Sequence, residues 1–329
     1  MYLGNWGNND RIYVYHILVP NDGFPLWKAQ SIKHTASLKD LYTDVEKNVE
    51  YDRTERAFSE KYESLAKIPL EKACQGDKIE GKDWDIIIDF VLLQFVRTPA
   101  FYLWIIDRGK EIIPPTLDTI ADTLSELKSP PDISKIEAFN GVNLPLKIEK
   151  VKDNPKEDTI DLEIKTIIGK NTWLLSIDAL MDKKSLVRKQ FHALKWSILT
   201  ADENDSWPTC DNPVIICDYF DGRVQRVSLK DGLGGKNRAI IFPISPQKAL
   251  FGEVHRTIRW RETANSVLCK SIKKAICDNA FRYIYSNVAD SDVWAFRKRI
   301  VDLALFTKVK NEFDNWYENY KLSEEAFLE

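Results

Sequence analysis

Two polar side chains stand directly before a short apolar run in SWPTCDNPVIICD, residues 206–218. Pro213 disfavours helical geometry at Asn212, and Asp211 or Asn212 can close a turn by bonding the local backbone. A structural turn therefore explains the local sequence. The functional alternative is that a strand begins at Pro213. Asp211 and Asn212 would then lie at a strand end, where side chains commonly face a cleft and a carboxylate can act as a general base or metal ligand.

A second polar set lies within an apolar segment, residues 82–110, which predicts a long buried helix that breaks near Pro99. Gln94 and Arg97 are three residues apart and therefore share a helix face, while Asp89 lies about 80 degrees away. A buried arginine needs an anionic partner, because an unpaired charge in a core is strongly destabilising.

The preceding predicted helix, residues 54–73, supplies carboxylates that can pair with Arg97. They are Glu55, Glu60 and Glu63. A structural Arg–Glu network and a site for an anionic ligand or metal both fit this pattern. The leading hypothesis assigns ligand binding to Arg97 and Gln94. It takes as candidate catalytic residues Asp211, Asn212, Glu63 and Glu55. The sequence identifies no cofactor and no metal ligand set.

A basic region supports a different class of function, a non-catalytic nucleic-acid-binding protein. Residues 222–310 contain eighteen Lys or Arg against seven Asp or Glu, although the whole chain has a net charge of -3. Its candidate contacts are Arg256, Arg259 and Arg261, beside Trp260, since arginines next to aromatics suit a phosphate backbone and stacked bases. A solvated charged face is the structural alternative.

A third hypothesis is a metal-dependent nuclease. Glu163 and Lys165 have the Glu-x-Lys order of restriction-type nucleases, for which Asp132 would supply the upstream carboxylate. Alternating Glu and Lys is also typical of any solvated hairpin face. The sequence contains no GxSxG, HExxH or GxxxxGK[ST] motif. Cys210 could act as a thiolate, but no neighbour in the sequence activates it.

Composition predicts a cytoplasmic protein that does not enter the membrane. The cysteines are odd in number and form no CxxC pair, and the chain does not open with a signal-peptide pattern. The longest apolar run, residues 86–106, carries Asp89, Arg97 and Pro99, and charges at mid-membrane are costly. The four histidines, at 16, 34, 192 and 255, stand singly, which is typical of surface or core residues.

The order of predicted elements indicates an α+β fold. A strand pair (11–18 and 24–28) precedes a helical part that includes a third helix after two prolines, residues 116–128. A hairpin (144–151 and 159–167), a helix at 171–190, a mostly antiparallel β region and two helices (263–285 and 290–318) follow. The expected division is 1–130 and 131–329, packed as one compact unit.

Several segments resemble, in order, a bacterial family known as domain of unknown function 4238. They are YLGNWGNNDRIYVY, SIKHTASLKDLYT, FVLLQFVRTPAF, WPTCDNPVI and IIFPISPQKAL. Cys210 stands where serine is usual in the fourth segment. The resemblance implies no established reaction, but an association with anti-phage defence and hence an effector role. It also implies a preceding His-Tyr-x-Pro-Gln-like segment, whose histidine this sequence lacks; if that histidine is catalytic, the chain is inactive or shortened.

Overall fold

The computed structural model of the chain describes residues 2–35, 44–46, 49–51, 53–125, 146–154, 159–228, 231–255 and 261–328. Helices dominate the first part, strands the middle and helices the end, so the predicted α+β class is confirmed.

Helices and strands within these ranges are numbered in chain order. The helices are α1 (Arg53–Phe58), α2 (Ser64–Gln75), α3 (Gly81–Val96), α4 (Pro99–Ser125), α5 (Lys170–Met181), α6 (Leu186–Ala193), α7 (Ser266–Asn279), α8 (Ser291–Phe296), α9 (Leu303–Asp314) and α10 (Trp316–Leu328). A π-helical turn, Ser59–Glu63, joins α1 to α2. The strands are β1 (Arg11–His16), β2 (Leu18–Val19), β3 (Lys28–Ser31), β4 (Asp44–Glu46), β5 (Val49–Tyr51), β6 (Leu146–Asn154), β7 (Thr159–Thr166), β8 (Lys195–Thr200), β9 (Thr209–Cys210), β10 (Ile215–Phe220), β11 (Arg223–Arg226), β12 (Arg238–Ser245), β13 (Lys248–Glu253), β14 (Arg261–Thr263), β15 (Tyr283–Ser286) and β16 (Ile300–Val301).

The main sheet has six strands in the order β11-β10-β12-β13-β8-β14. Its pairings are antiparallel except that of β14 with β8. A second sheet has the order β3-β1-β15-β9, so it joins two strands from the start of the chain to β15 and β9 from its second half. The predicted hairpin is confirmed as β6 and β7.

The main sheet lies between two helical layers. In β12, Ile240 and Phe242 face the core formed with α2, α3, α5 and α6, whereas Ile241 faces the core formed with α7. Alternate residues of a strand point to opposite faces, and both faces of β12 are covered, which is why the strand is almost continuously apolar. The core on the α3 side contains both Ile87 and Phe242, on either side of residue 130.

The sequence Arg97-Thr98-Pro99 makes the corner between α3 and α4. Pro99 disfavours helical geometry at Thr98 and itself begins α4, where its missing N–H costs nothing. The Thr98 hydroxyl accepts a hydrogen bond from the backbone N–H of Phe101 at 3.2 Å and so caps α4. The predicted break near Pro99 is confirmed.

The two prolines that predicted a new helix at 116 lie instead inside α4, so that prediction is wrong. Pro114 and Pro115 cannot donate to the carbonyl groups of Lys110 and Glu111. Both of these residues are exposed, so water can satisfy the carbonyls and the helix continues.

Other predicted boundaries shift because strand pairing or a local helix cap sets where the elements begin and end. The strand predicted at 24–28 begins only at Lys28, where it pairs with Val14 of β1. The helix predicted at 171–190 is divided between α5 and α6, and α6 begins at a capping serine, Ser185. The helix predicted at 263–285 ends at Asn279, and β15 follows as a central strand of the second sheet.

No single helix in the described ranges is long and apolar enough to cross a membrane. The consecutive helices Gly81–Val96 and Pro99–Asp122, which meet at 65°, reach the required length and composition only as a bent pair.

Candidate ligand-binding site

The α3–α4 corner holds Arg97 in an ion pair. Its Nη1 donates to Oε1 of Glu63, and its Nη2 donates to Oε1 of Gln94 at 2.9 Å. Both charged side chains are partly exposed. Glu63 ends the π-helical turn before α2, so that turn sets its position. The guanidinium is thus neutralised by a carboxylate within the chain.

The remaining predicted carboxylates of this region lie apart from Arg97. Glu55 in α1 and Glu60 in the π-helical turn are exposed, and neither has a hydrogen bond or ion pair to the part of the chain that the structure describes. Gln94 is buried, and its Nε2 has no acceptor among the described residues. Of the three glutamates considered, the structure brings only Glu63 to Arg97.

Asn212 connects the α3–α4 corner to the end of α7. Its Oδ1 accepts a hydrogen bond from the Thr98 hydroxyl at 3.3 Å, and its Nδ2 donates to the Asn279 carbonyl at 3.2 Å. Asn279 returns the contact, since its Nδ2 donates to the carbonyls of Asn212 and Val214 at 2.7 and 3.1 Å. The buried polar atoms of this pair therefore have partners, as buried polar groups require.

Asn279 also positions Arg226. Arg226 Nε, at the end of β11, donates to Asn279 Oδ1 at 2.8 Å. Arg226 is otherwise exposed, and its partner is a neutral amide. No carboxylate of the described residues forms an ion pair with Arg226, so the guanidinium keeps its positive charge while the amide holds it in place.

A cleft of about 270 Å³ lies at this point, between the start of α4 and the edge of the main sheet. One wall is aromatic: the Phe95 and Phe101 rings are 5.2 Å apart, and the Phe101 and Trp104 rings are 5.4 Å apart at 35°. The polar residues that line it are Asp107, Asn212, Arg226, Ser228 and Asn279. The cleft combines an apolar ring-sized surface with a fixed cation.

Asp211 points away from this network. Its two carboxylate oxygens accept the backbone N–H groups of Phe281 and Arg282 at 2.9 and 2.8 Å. Burial raises the pKa of Asp211 to about 6, although those backbone hydrogen bonds and the charge of Arg282 oppose the rise. In this geometry Asp211 organises the turn between α7 and β15, and it does not line the cleft.

Cys210 is buried, and its Sγ donates to the Asn212 carbonyl at 3.0 Å. Burial, helped by the neighbouring Asp211 charge, raises the pKa of this thiol well above its ordinary value. The group is therefore a neutral thiol at physiological pH and a weak nucleophile.

The predicted basic face lies largely outside the described residues, since Arg256, Arg259 and Trp260 are not among them. The guanidinium of Arg261 donates to the backbone carbonyls of Gly76 and Asp77, just after α2. Arg261 therefore anchors β14 to the end of a helix, where a cation also complements the helix dipole.

Glu163 and Lys165 form an ion pair with each other at 3.0 Å on β7, and Asp132 lies outside the described residues. The described part of the chain contains no group of three or more His, Cys, Asp or Glu side chains able to hold a metal ion.

A further polar cluster was not predicted. Arg188 in α6 donates through Nε and Nη2 to the two oxygens of Asp89, both at 2.8 Å. His192, one turn later, contacts Asp89 Oδ1 at 2.9 Å and Asp85 Oδ1 at 3.4 Å. These bonds hold the pKa of Asp89 below its ordinary value although burial opposes the shift. The closed network explains how α3 carries Asp89 among apolar residues.

Arg226 and Asn279, which complete the cleft, were also missed as site residues. They are 53 residues apart, and each lies at the end of an amphipathic element, β11 or α7, whose sequence has no functional motif. The one local feature that could have pointed to this site is the asparagine at the end of α7, just before the segment Ala280–Phe281–Arg282.

Three segments that are distant in sequence meet beside this site. The Tyr2 hydroxyl contacts the Thr209 hydroxyl and donates to the Pro243 carbonyl, both at 2.7 Å. The Trp6 indole N–H donates to the Trp207 carbonyl at 2.9 Å. The first segment of the chain therefore packs on the strand before Asp211 and on β12.

A family model described as "Protein of unknown function (DUF4238)" matches residues 1–290. No curated protein and no solved structure matches the chain.

Proposed function

Because the chain belongs to the DUF4238 family, whose description assigns no activity, we propose its function from the cleft: it binds a small anionic molecule that carries a planar ring. The single observation that supports this proposal is the cation held by an amide at the edge of the aromatic wall, Arg226 on Asn279.

Arg226 suits an anionic group for a physical reason. With Nε bonded to Asn279, the two terminal nitrogens keep their donors, and a guanidinium binds carboxylate or phosphate through two parallel hydrogen bonds. The neutral partner leaves the full positive charge to attract the ligand. The network of Asn212 and Asn279 fixes the geometry before binding, which reduces the entropy lost by the complex.

The size and lining of the cleft favour a small ligand. Pockets for small molecules are about 300–1,000 Å³ and mainly apolar, with a few convergent polar groups. A cleft of about 270 Å³ lies just below that range, which limits the ligand to a small molecule. Trp104, which is partly exposed and lines the cleft, offers a face on which a ring can stack.

The test is calorimetric titration of the full chain with nucleoside monophosphates and inorganic pyrophosphate. We expect a ring-bearing phosphate to bind, and Arg226→Gln to weaken it at least about tenfold, because charged hydrogen bonds contribute about 1.5–3 kcal/mol. Arg223→Gln is the matched control: Arg223 is exposed on the same strand and does not line the cleft. Absence of millimolar binding, or equal effects of both substitutions, would contradict the proposal.

An anti-phage effector role, which the family resemblance implies, stays a prediction beside this one. It is tested by phage plating on bacteria that express the wild-type chain, Arg226→Gln or an empty vector. Protection by the wild-type chain alone supports a role for the cleft in defence, and equal plating on all three contradicts it.

A further inference from the structure

We infer that the cleft selects a guanine ring, so that its ligand is a guanine mononucleotide. This inference rests on the proposed function and specifies its ligand. The observation that carries it is a carboxylate, Asp107, placed one helical turn after Trp104 on the wall of the cleft.

Asp107 is available to a ligand. It is exposed, and it makes no hydrogen bond or ion pair with the residues that the structure describes. The adjacent Arg108 pairs instead with Glu111 at 3.1 Å. Asp107 is thus a charged acceptor on the cleft wall that forms no ion pair with a cation of the described residues.

The spacing fits a stacked ring. Residues three apart on a helix share a face and are separated by about 4.5 Å along the axis. A ring that stacks on Trp104 therefore presents an edge to Asp107. Its phosphate must then extend toward Arg226, because the negative charge of Asp107 disfavours the reverse orientation.

The chemistry of a carboxylate distinguishes the bases. An ionised carboxylate only accepts hydrogen bonds, through two oxygens. Guanine presents two adjacent donors on one edge, the ring N–H and the exocyclic amine, and can bond both oxygens. The matching edge of adenine has one amine beside an acceptor nitrogen, which the second oxygen repels.

The experiment compares GMP, AMP and inorganic pyrophosphate by calorimetry on the full chain. We expect GMP to bind at least about tenfold more tightly than AMP, the difference that one additional charged hydrogen bond provides. Asp107→Asn should reduce the preference for GMP to within about threefold, since an amide presents a donor and an acceptor together. Asp118→Asn, on an exposed residue of the same helix that does not line the cleft, should leave the preference unchanged.

The outcomes separate this inference from the proposed function. Equal binding of GMP and AMP that Arg226→Gln weakens overturns the guanine inference and leaves the proposed function standing. Binding of pyrophosphate alone overturns the selection of any ring. A GMP preference that survives Asp107→Asn overturns the role of Asp107, and no binding of any probe overturns both proposals.

Discussion

Two arginines lie on either side of the Thr98–Asn212 contact, and their partners differ. Arg97 is bound by a carboxylate, Glu63, whereas Arg226 is bound by an amide, Asn279. A carboxylate partner cancels the charge and makes the arginine part of the framework. An amide fixes the direction of the guanidinium but leaves its charge, so the second arginine can bind an anion from solution. The partner of each arginine therefore decides its role: an arginine paired with a carboxylate is structural, and one bound to an amide can bind a ligand.

The largest effect on the free energy of unfolding should come from replacing Asn279, the residue that positions Arg226. Asn279→Ala deletes the amide that holds Asn212, Val214 and Arg226. The buried Val214 carbonyl then loses this donor, and the Asn212 carbonyl keeps only the weak thiol donor of Cys210. We expect the free energy of unfolding to fall by about 3 kcal/mol, since each unsatisfied buried group costs about 1–3 kcal/mol. Urea denaturation measures it. A loss below about 1 kcal/mol would show that the asparagine pair is not a framework element.

The two arginines should respond differently to the same substitution. Arg97→Met leaves the Glu63 charge and the Gln94 amide oxygen without their donor, so we expect a loss of about 2 kcal/mol in unfolding free energy. Arg226→Met removes an exposed cation, and water in the cleft can then donate to Asn279 Oδ1, so the loss should be less than about 1 kcal/mol. Urea denaturation of both variants checks the contrast. Equal losses would remove the distinction between a framework arginine and a recognition arginine.

A pH-dependent effect is expected at Asp211, the first residue of the Asp-Asn-Pro sequence. Because burial raises the pKa of Asp211 to about 6, the folded chain binds a proton there more tightly than the unfolded chain. Its contribution to stability is therefore fully present below the unfolded pKa and is lost as the pH rises from about 4 to about 6, by about 1–3 kcal/mol. Unfolding free energies of wild type and Asp211→Asn across this range measure it. An unchanged pH slope in the variant would contradict the assignment.

The opposite sign is expected for Asp89, which serves as an internal control. Its pKa is lowered in the folded chain, so its contribution is present above the unfolded pKa and is lost as the pH falls below about 4. Asp89→Asn should therefore reduce the pH dependence of the unfolding free energy below about pH 4. Asp211→Asn should reduce it between about pH 4 and about pH 6.

The sequence by itself determined the elements whose causes are local. The Arg-Thr-Pro corner follows from the proline and the capping threonine, the β6–β7 hairpin from its alternation, and the α+β class from the order of helices and strands. The need of Arg97 for an acidic partner also follows from the cost of an unpaired charge within an apolar helix.

Only the tertiary structure decided which partners meet. Glu63 rather than Glu55 reaches Arg97, because the π-helical turn that ends at Glu63 orients this side chain toward α3. Asp211 turns to the backbone after α7, while Asn212 lines the cleft with Asn279 and Arg226. These contacts join residues separated by about one tenth of the chain or more, and local propensity carries no information about pairing at that distance. That is why Arg97, Glu63 and Asn212 were identifiable from the sequence as polar candidates. The roles of Arg226 and Asn279, and the division of the polar residues between framework and cleft, were not.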